Sequence, residues 1–107
     1  MIMKNELYAK SDLELVQELG RRFREYRLRY DRTQQEIADF TGLSLFTIGT
    51  FEKGTGTGIS MVNFLKLLRA IEALEDVENI LPPLPESPRL RYEQQQKRKL
   101  KASRHGK

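Results

Sequence analysis

The stretch Thr33–Gly54, TQQEIADFTGLSLFTIGTFEKG, constrains this chain more tightly than any other. It reads as two short helices with a tight turn between them. The first runs from about Gln34 to Phe40, with Ile37 and Phe40 spaced to share a face. The turn follows at Thr41-Gly42-Leu43, where Gly42 reaches a positive φ that other residues resist. Ser44 is the N-cap candidate of the second helix, and Gly54 closes it. Within that second helix Ile48 and Phe51 point inward, while Leu45, Phe46, Gly49 and Thr50 point the other way. Ala38 keeps the side chain small where the two helices approach across the turn.

The flanking segments continue the helical periodicity. Residues 1–10 have no pattern and are expected to be loose. Ser11-Asp12-Leu13-Glu14 reads as a capping box, with Glu14 reaching back. The helix it opens carries Leu15/Val16, Leu19, Phe23 and Tyr26/Arg27 on one stripe and ends near Arg29. Arg21, Arg22, Arg24, Arg29 and Arg32 crowd its later turns. Most of them read as a solvated face, with one or two available to an anion. Arg27 falls on the apolar stripe, where an unpaired charge costs several kcal/mol, so it requires a partner. Beyond Gly54-Thr55-Gly56-Thr57-Gly58, a connector with none of the features of a phosphate-binding loop, Ser60 caps a helix with Val62, Phe64/Leu65, Leu68 and Ile71 toward the core. A corner near Ala73-Leu74 leads to a short last helix holding Val77, Ile80 and Leu81. Glu72, Glu75, Asp76 and Glu78 gather at that corner, where acids suit a helix start.

These readings predict an all-α fold with five helices, near 12–29, 34–40, 44–53, 60–72 and 75–81. The domain spans residues 11–81. Pro82-Pro83-Leu84-Pro85 ends it, and Ser87-Pro88 offers a fresh N-cap and first helical position. Residues 82–107 form a proline linker and basic tail, disordered or conditionally helical.

A chain of 107 residues makes one domain with a modest core. It has no cysteine, so neither disulfides nor thiolate metal sites are available, and its single histidine, His105, lies in the basic tail. No Ser/His/Asp or Cys/His set is present, so no catalytic role, metal or cofactor is expected. No apolar run approaches the ~20 residues of a membrane span and no signal-peptide core is present, so a cytoplasmic protein is expected. The net charge of +4 is unevenly spread. From Pro82 onward eight Lys or Arg (Arg89, Arg91, Lys97, Arg98, Lys99, Lys101, Arg104, Lys107) face only Glu86 and Glu93, a net +6 that leaves −2 for residues 1–81. Basicity alone therefore says nothing about what the domain binds.

The pattern Thr33-Gln34-x-Glu36-Ile37-Ala38, Gly42-Leu43-Ser44, Ile48, Phe51-Glu52-x-Gly54 resembles the Cro/lambda-repressor (XRE) helix-turn-helix family. The match takes in Leu19-Gly20-x-x-Phe23-x-x-x-Arg27 upstream and the apolar repeat to Leu81 downstream. Within that family NFLKLLRAIEAL, LPPLPESP and KRKLKASRHGK are most like HipB-like antitoxins. The resemblance implies a compact helix-turn-helix domain with a basic C-terminal tail. It also implies a sequence-specific transcriptional repressor that binds an inverted-repeat operator as a homodimer, autoregulates a toxin-antitoxin operon and joins a HipA-type kinase toxin.

The resemblance further puts the partner of Arg27 at Glu52. It implies DNA contacts by Ser44, Leu45, Phe46, Gly49 and Thr50 over base edges and by Lys53. Gln34 is implied to bond a phosphate, as are the connector amides beginning at Thr55. The chain departs from the family where Gln, Arg or Asn often stand, because Leu45 and Phe46 cannot make bidentate base contacts. They either touch thymine methyls or form an apolar patch for a protein partner, and the second option describes an adaptor with DNA binding secondary. The sequence shows no obvious C-terminal β-strand of the sort that helps dimerise the best-known HipB-like members, which moves the expected dimer contacts to the last two helices. The tail is expected to bind, either along phosphate or on a protein partner.

Overall fold

The computed structural model describes residues 4–105, and every regular element among them is helical. In chain order these are α1 (Lys4–Ala9), α2 (Asp12–Arg29), α3 (Gln34–Thr41), α4 (Leu45–Lys53), α5 (Met61–Ala70), α6 (Val77–Ile80) and α7 (Pro88–His105), with a 3-10 turn at Leu74–Asp76. No described helix is long and apolar enough to cross a membrane. The chain divides into two compact units, one ending at Asp76 and one beginning at Val77.

Local chemistry explains why the helices of the first unit start and stop where they do. Four of them, α2 to α5, begin behind a hydroxyl residue in extended conformation: Ser11, Thr33, Ser44 and Ser60. Each hydroxyl oxygen accepts the backbone N–H three residues on, from Glu14, Glu36, Thr47 and Asn63, at 3.0–3.1 Å. One otherwise orphaned donor is thereby satisfied at each start. The full reciprocal box lies at Thr33, whose N–H donates to Glu36 Oε1 at 3.0 Å. At Ser11, where the sequence suggests it, the Glu14 carboxylate instead accepts the Ser11 hydroxyl at 3.1 Å.

Three helix ends share a second device. Asp31 (φ 56°), Gly54 (φ 85°) and Glu72 (φ 57°) take the left-handed conformation just past α2, α4 and α5. The N–H of the next residue then bonds five residues back, Arg32 to Arg27, Thr55 to Thr50 and Ala73 to Leu68, at 2.9–3.1 Å. These bonds supply donors to carbonyls near the end of each helix, where the run of helical N–H groups gives out.

The core of the first unit draws on α2 to α5 and the turn after them. Phe23, Ile37, Ile48, Phe51, Leu67, Ala70, Ile71 and Ala73 are buried, with Val16, Ala38, Leu43, Ile59, Phe64 and Leu68 packed around them. Phe51 is at its centre, 6.0 Å from the ring of Phe23 and 6.1 Å from that of Phe64. One glycine sets the distance between α2 and α4. A Cβ added at Gly20 would lie 1.9 Å from the carbonyl oxygen of Phe51, so the two backbones touch there.

Several expected positions differ. Lys4–Ala9 form a helix where no periodicity is visible. Phe40 is exposed, because α3 faces the core through an arc of Ile37, Ala38 and Thr41 and Phe40 lies outside it. The stripe of α2 runs through Val16, Gly20, Phe23 and Arg27, leaving Leu19 outside. On α5 the buried arc is Phe64, Leu67, Leu68 and Ile71, which puts Val62 on the opposite side. The expected helix 75–81 is a 3-10 turn followed by the four residues of α6, and Val77, Ile80 and Leu81 are all exposed.

In the second unit, Ser87 and Gln96 are half-buried and every other described side chain is exposed. Pro88 opens α7 as the sequence suggests, and the Arg91 N–H bonds the Ser87 carbonyl at 3.0 Å.

Two outcomes follow. Alanine in place of glycine normally helps a helix by about 1 kcal/mol. Here Gly20→Ala pushes two backbones apart and should instead destabilise by roughly 1–3 kcal/mol or more, read from urea denaturation. A neutral or stabilising effect would contradict the close contact. The Glu36 carboxyl is held below the ordinary carboxylate range, first by the Thr33 backbone N–H and then by the Thr33 hydroxyl. A lowered native value means that the stabilisation is present above about pH 4.3 and fades as pH falls through the native value. The melting difference between wild type and Glu36→Gln should therefore shrink from pH 7 to pH 3, whereas a constant difference would refute the charge-dependent box.

Candidate nucleic-acid interface

The Arg27 guanidinium and the Glu52 carboxylate form the fixed point of this region. Nε donates to Oε2 at 2.7 Å and Nη2 to Oε1 at 2.9 Å, a bidentate fork with the Glu52 side chain only 2% exposed. Arg27 Nη1 donates to the Arg32 carbonyl at 2.8 Å. The pair raises the Arg27 pKa above its ordinary value, through the bond to Glu52. No described buried side-chain nitrogen or oxygen lacks a partner. The pair and its added hydrogen bonds thus offset the cost that burial places on an isolated charge.

Glu52 Oε1 accepts a third bond, from Gln34 Nε2 at 3.1 Å. Because the acceptor is a carboxylate, the amide must present its NH2 group to it. The Gln34 oxygen then lies over Gly49, where an added Cβ would stand 3.9 Å away. Arg24 Nε approaches the same carboxylate at 4.0 Å. So α2, α3 and α4 meet at Glu52.

The expected contact residues fall into two groups. Leu45, Phe46, Gly49 and Lys53 lie along one side of α4 at helical spacing. Leu45 is 45% and Phe46 79% exposed, so the outward face is apolar at its start. Gln34 stands beside it, with one amide N–H engaged by Glu52. Ser44 and Thr50 instead have their hydroxyls engaged in local hydrogen bonds. The Ser44 oxygen caps α4 and bonds the Thr47 hydroxyl at 2.9 Å, while the Thr50 hydroxyl donates to the Phe46 carbonyl at 2.8 Å. Hydroxyls close to backbone acceptors and donors routinely make such local bonds.

The connector also differs from expectation. The N–H groups of Gly54, Thr55 and Gly56 all converge on the Thr50 carbonyl, at 3.1, 3.0 and 2.9 Å, and the Thr55 hydroxyl points there as well. These amides are turned into the protein rather than toward an anion. Gln17 Nε2 donates to the Gly54 carbonyl at 3.0 Å and ties the connector to α2. Sequence reasoning missed Gln17 and Thr47, and it named Arg24 without placing it beside Glu52. Arg24 alone carried a signal, one turn before Arg27 on the same helix.

The cations of α2 are largely balanced. Glu18 accepts Lys10 at 2.8 Å, Arg22 at 2.8 Å and Arg21 at 3.4 Å, and its carboxyl is held below the ordinary range, first by the Lys10 bond. Arg32 lies 3.6 Å from Glu72. Helix α3 carries Glu36 and Asp39 and no cation, so the outer face of α3 and α4 has a single positive residue, Lys53. Comparison with protein-family models, with curated proteins and with solved structures finds no match for this chain.

Removing either member of the Arg27–Glu52 pair leaves a buried charge uncompensated. Arg27→Ala and Glu52→Ala should each destabilise by about 3–5 kcal/mol in urea or thermal denaturation. Arg27→Lys keeps the charge but not the planar fork, so it should recover only part of the loss. An Arg27→Ala variant melting within a degree or two of wild type would refute the account.

Proposed function

We propose that the chain is a sequence-specific DNA-binding transcriptional repressor, in which α3 and α4 form a helix-turn-helix and α4 enters the major groove. The observation that supports this most directly is the division of α4. Its inner residues Ile48, Phe51 and Glu52 are buried and tied to α2 and α3, while Leu45, Phe46, Gly49 and Lys53 are left on the opposite side. A nine-residue helix is about 13 Å long, suited to a groove about 12 Å wide. Leu45 and Phe46 make apolar contacts there, best matched by thymine methyls. The local hydroxyl bonds of Ser44 and Thr50 leave those two residues a lesser part in base reading. Gln34 supplies a phosphate contact through its second amide N–H, with Glu52 fixing the first.

The resemblance to Cro/lambda-repressor-type proteins, and among them to HipB-like antitoxins, supports the finer reading. On that reading the chain autoregulates a toxin-antitoxin operon as a homodimer on an inverted repeat and holds a HipA-type kinase toxin. One module buries only roughly 600–1,000 Å² on DNA, too little for tight specific binding, which favours a twofold dimer with half-sites about one helical turn apart. One observation favours the adaptor reading. Phe46 and Phe40 are 79% and 57% exposed, and exposed aromatic rings are groups that protein partners cover.

Gel-shift titration against the chain's own promoter separates the two. Leu45→Ala and Phe46→Ala should each weaken the cognate site by about 1–3 kcal/mol and relax preference at one or two base pairs. Unchanged DNA affinity together with loss of a protein partner would move both residues to the adaptor reading. Light scattering that shows a monomer both free and on DNA would overturn the dimer.

A further inference from the structure

We infer that α7 is a phosphate-binding arm that lies along the backbone of duplex DNA and supplies the electrostatic attraction that α3 and α4 lack. The inference rests on the reading of α4 as a DNA-binding helix, and it begins from the composition of α7. Over Pro88–His105 the chain places seven Lys or Arg against one carboxylate, Glu93. Eighteen residues of helix are about 27 Å long, so a cation occurs roughly every 4 Å along it. Glu93 is already engaged by Arg89 at 3.4 Å. Among the described residues, Arg91, Lys97, Arg98 and Lys99 have no carboxylate partner and all are exposed. A helix polar on all sides, with one internal ion pair, gains little from packing and suffers from its own like charges. A polyanion relieves that repulsion.

The form of the charge selects the polyanion. Tyr92 and Leu100 are exposed but do not make the continuous apolar face that an interfacial membrane helix needs. An acidic protein groove requires matching side chains, whereas duplex DNA offers a charge about every 1.7 Å to cations arranged on any side. The charge distribution of the whole molecule points the same way. Lys53 is the lone cation of α3 and α4, and four of the five arginines of α2 face a carboxylate, Arg21 and Arg22 at Glu18 and Arg24 and Arg27 at Glu52. A domain that reads bases still requires phosphate neutralisation for most of its affinity, and the unbalanced positive charge of this chain is in α7. The seven residues Leu81–Ser87, with three prolines, give a semi-rigid spacer of roughly 22 Å. Contacts to phosphate carry no sequence information, so the arm adds affinity without changing which site is preferred.

The test keeps the full chain. Lys97→Gln, Arg98→Gln and Lys99→Gln are combined in one variant. Glutamine has nearly the helix propensity of lysine and arginine, so the far-ultraviolet circular dichroism should match wild type. Binding of both proteins to a promoter duplex and to a mixed-sequence duplex of equal length is measured by fluorescence anisotropy across a salt series. Each phosphate contact contributes about −0.9 to the slope of log affinity against log salt, so the variant should flatten it by roughly 2 to 3 on both duplexes. The ratio of the two affinities should stay the same, and Lys97→Arg with Lys99→Arg should restore the wild-type slope. An unchanged slope would overturn the arm, including the case in which the variant loses only a protein partner. The α4 reading fails on a different observable. If wild type does not prefer its promoter, base reading is wrong, while the difference in slope still reports on α7.

Discussion

The first unit is organised around the carboxylate of Glu52. It takes a two-pronged bond from Arg27 on α2 and a third bond from Gln34 on α3, so three helices are oriented by one side chain on α4. Arg27 is doubly bound to the chain that follows it. Its own carbonyl accepts the Arg32 N–H at 3.1 Å while its guanidinium donates to the Arg32 carbonyl at 2.8 Å. The turn between α2 and α3 is thereby closed by the same residue that anchors α4. Such a cluster is weak as a source of net stability, since two desolvated charges must first be offset. Its value is directional. Hydrophobic contacts of Ile48 and Phe51 bring α4 to the core, and the fork fixes how α4 is rotated about its own axis.

Rotation matters because α4 has two chemically separate sides. A turn of a few tens of degrees would bring Leu45 toward the core or Phe51 toward solvent. Gly20 limits that motion from beneath, where the α2 backbone rests on the Phe51 carbonyl. The connector does so from the far end, where three amides grip the Thr50 carbonyl and Gln17 holds Gly54.

Helix positions were largely legible in the sequence because the signals are local. A hydroxyl residue before each of α2 to α5 and a glycine after α3 and α4 act within a few residues. Ile48 and Phe51 were assignable for the same reason. What was not legible depends on tertiary direction. Phe40 and Val62 are apolar and fit a helical period, yet which arc of α3 or α5 faces inward is set by neighbours distant in sequence. The inward turn of the connector amides was hidden too, because three successive N–H groups aimed at one carbonyl is a property of the Gly54 conformation and the end of α4 together. Arg27 was identifiable as needing a partner from its place on the apolar stripe, whereas the choice of Glu52 came from resemblance, and Gln34 as a third participant had no sequence signal. On the candidate face, residue type indicated which side chains point outward on α4. It did not separate Leu45 and Phe46, which are available to a ligand, from Ser44 and Thr50, whose hydroxyls are spent on the backbone.

The spending of those hydroxyls has a consequence for substitution. On α4 the groups that hold the helix in place (Ser44, Ile48, Thr50, Phe51 and Glu52) are different residues from those left outward-facing (Leu45, Phe46, Gly49 and Lys53). Replacements in the second set leave caps, core and fork intact. Single changes at Leu45 or Phe46 can therefore alter the chemistry of the outward face while each variant still folds, whereas changes to the scaffold beneath carry a stability cost.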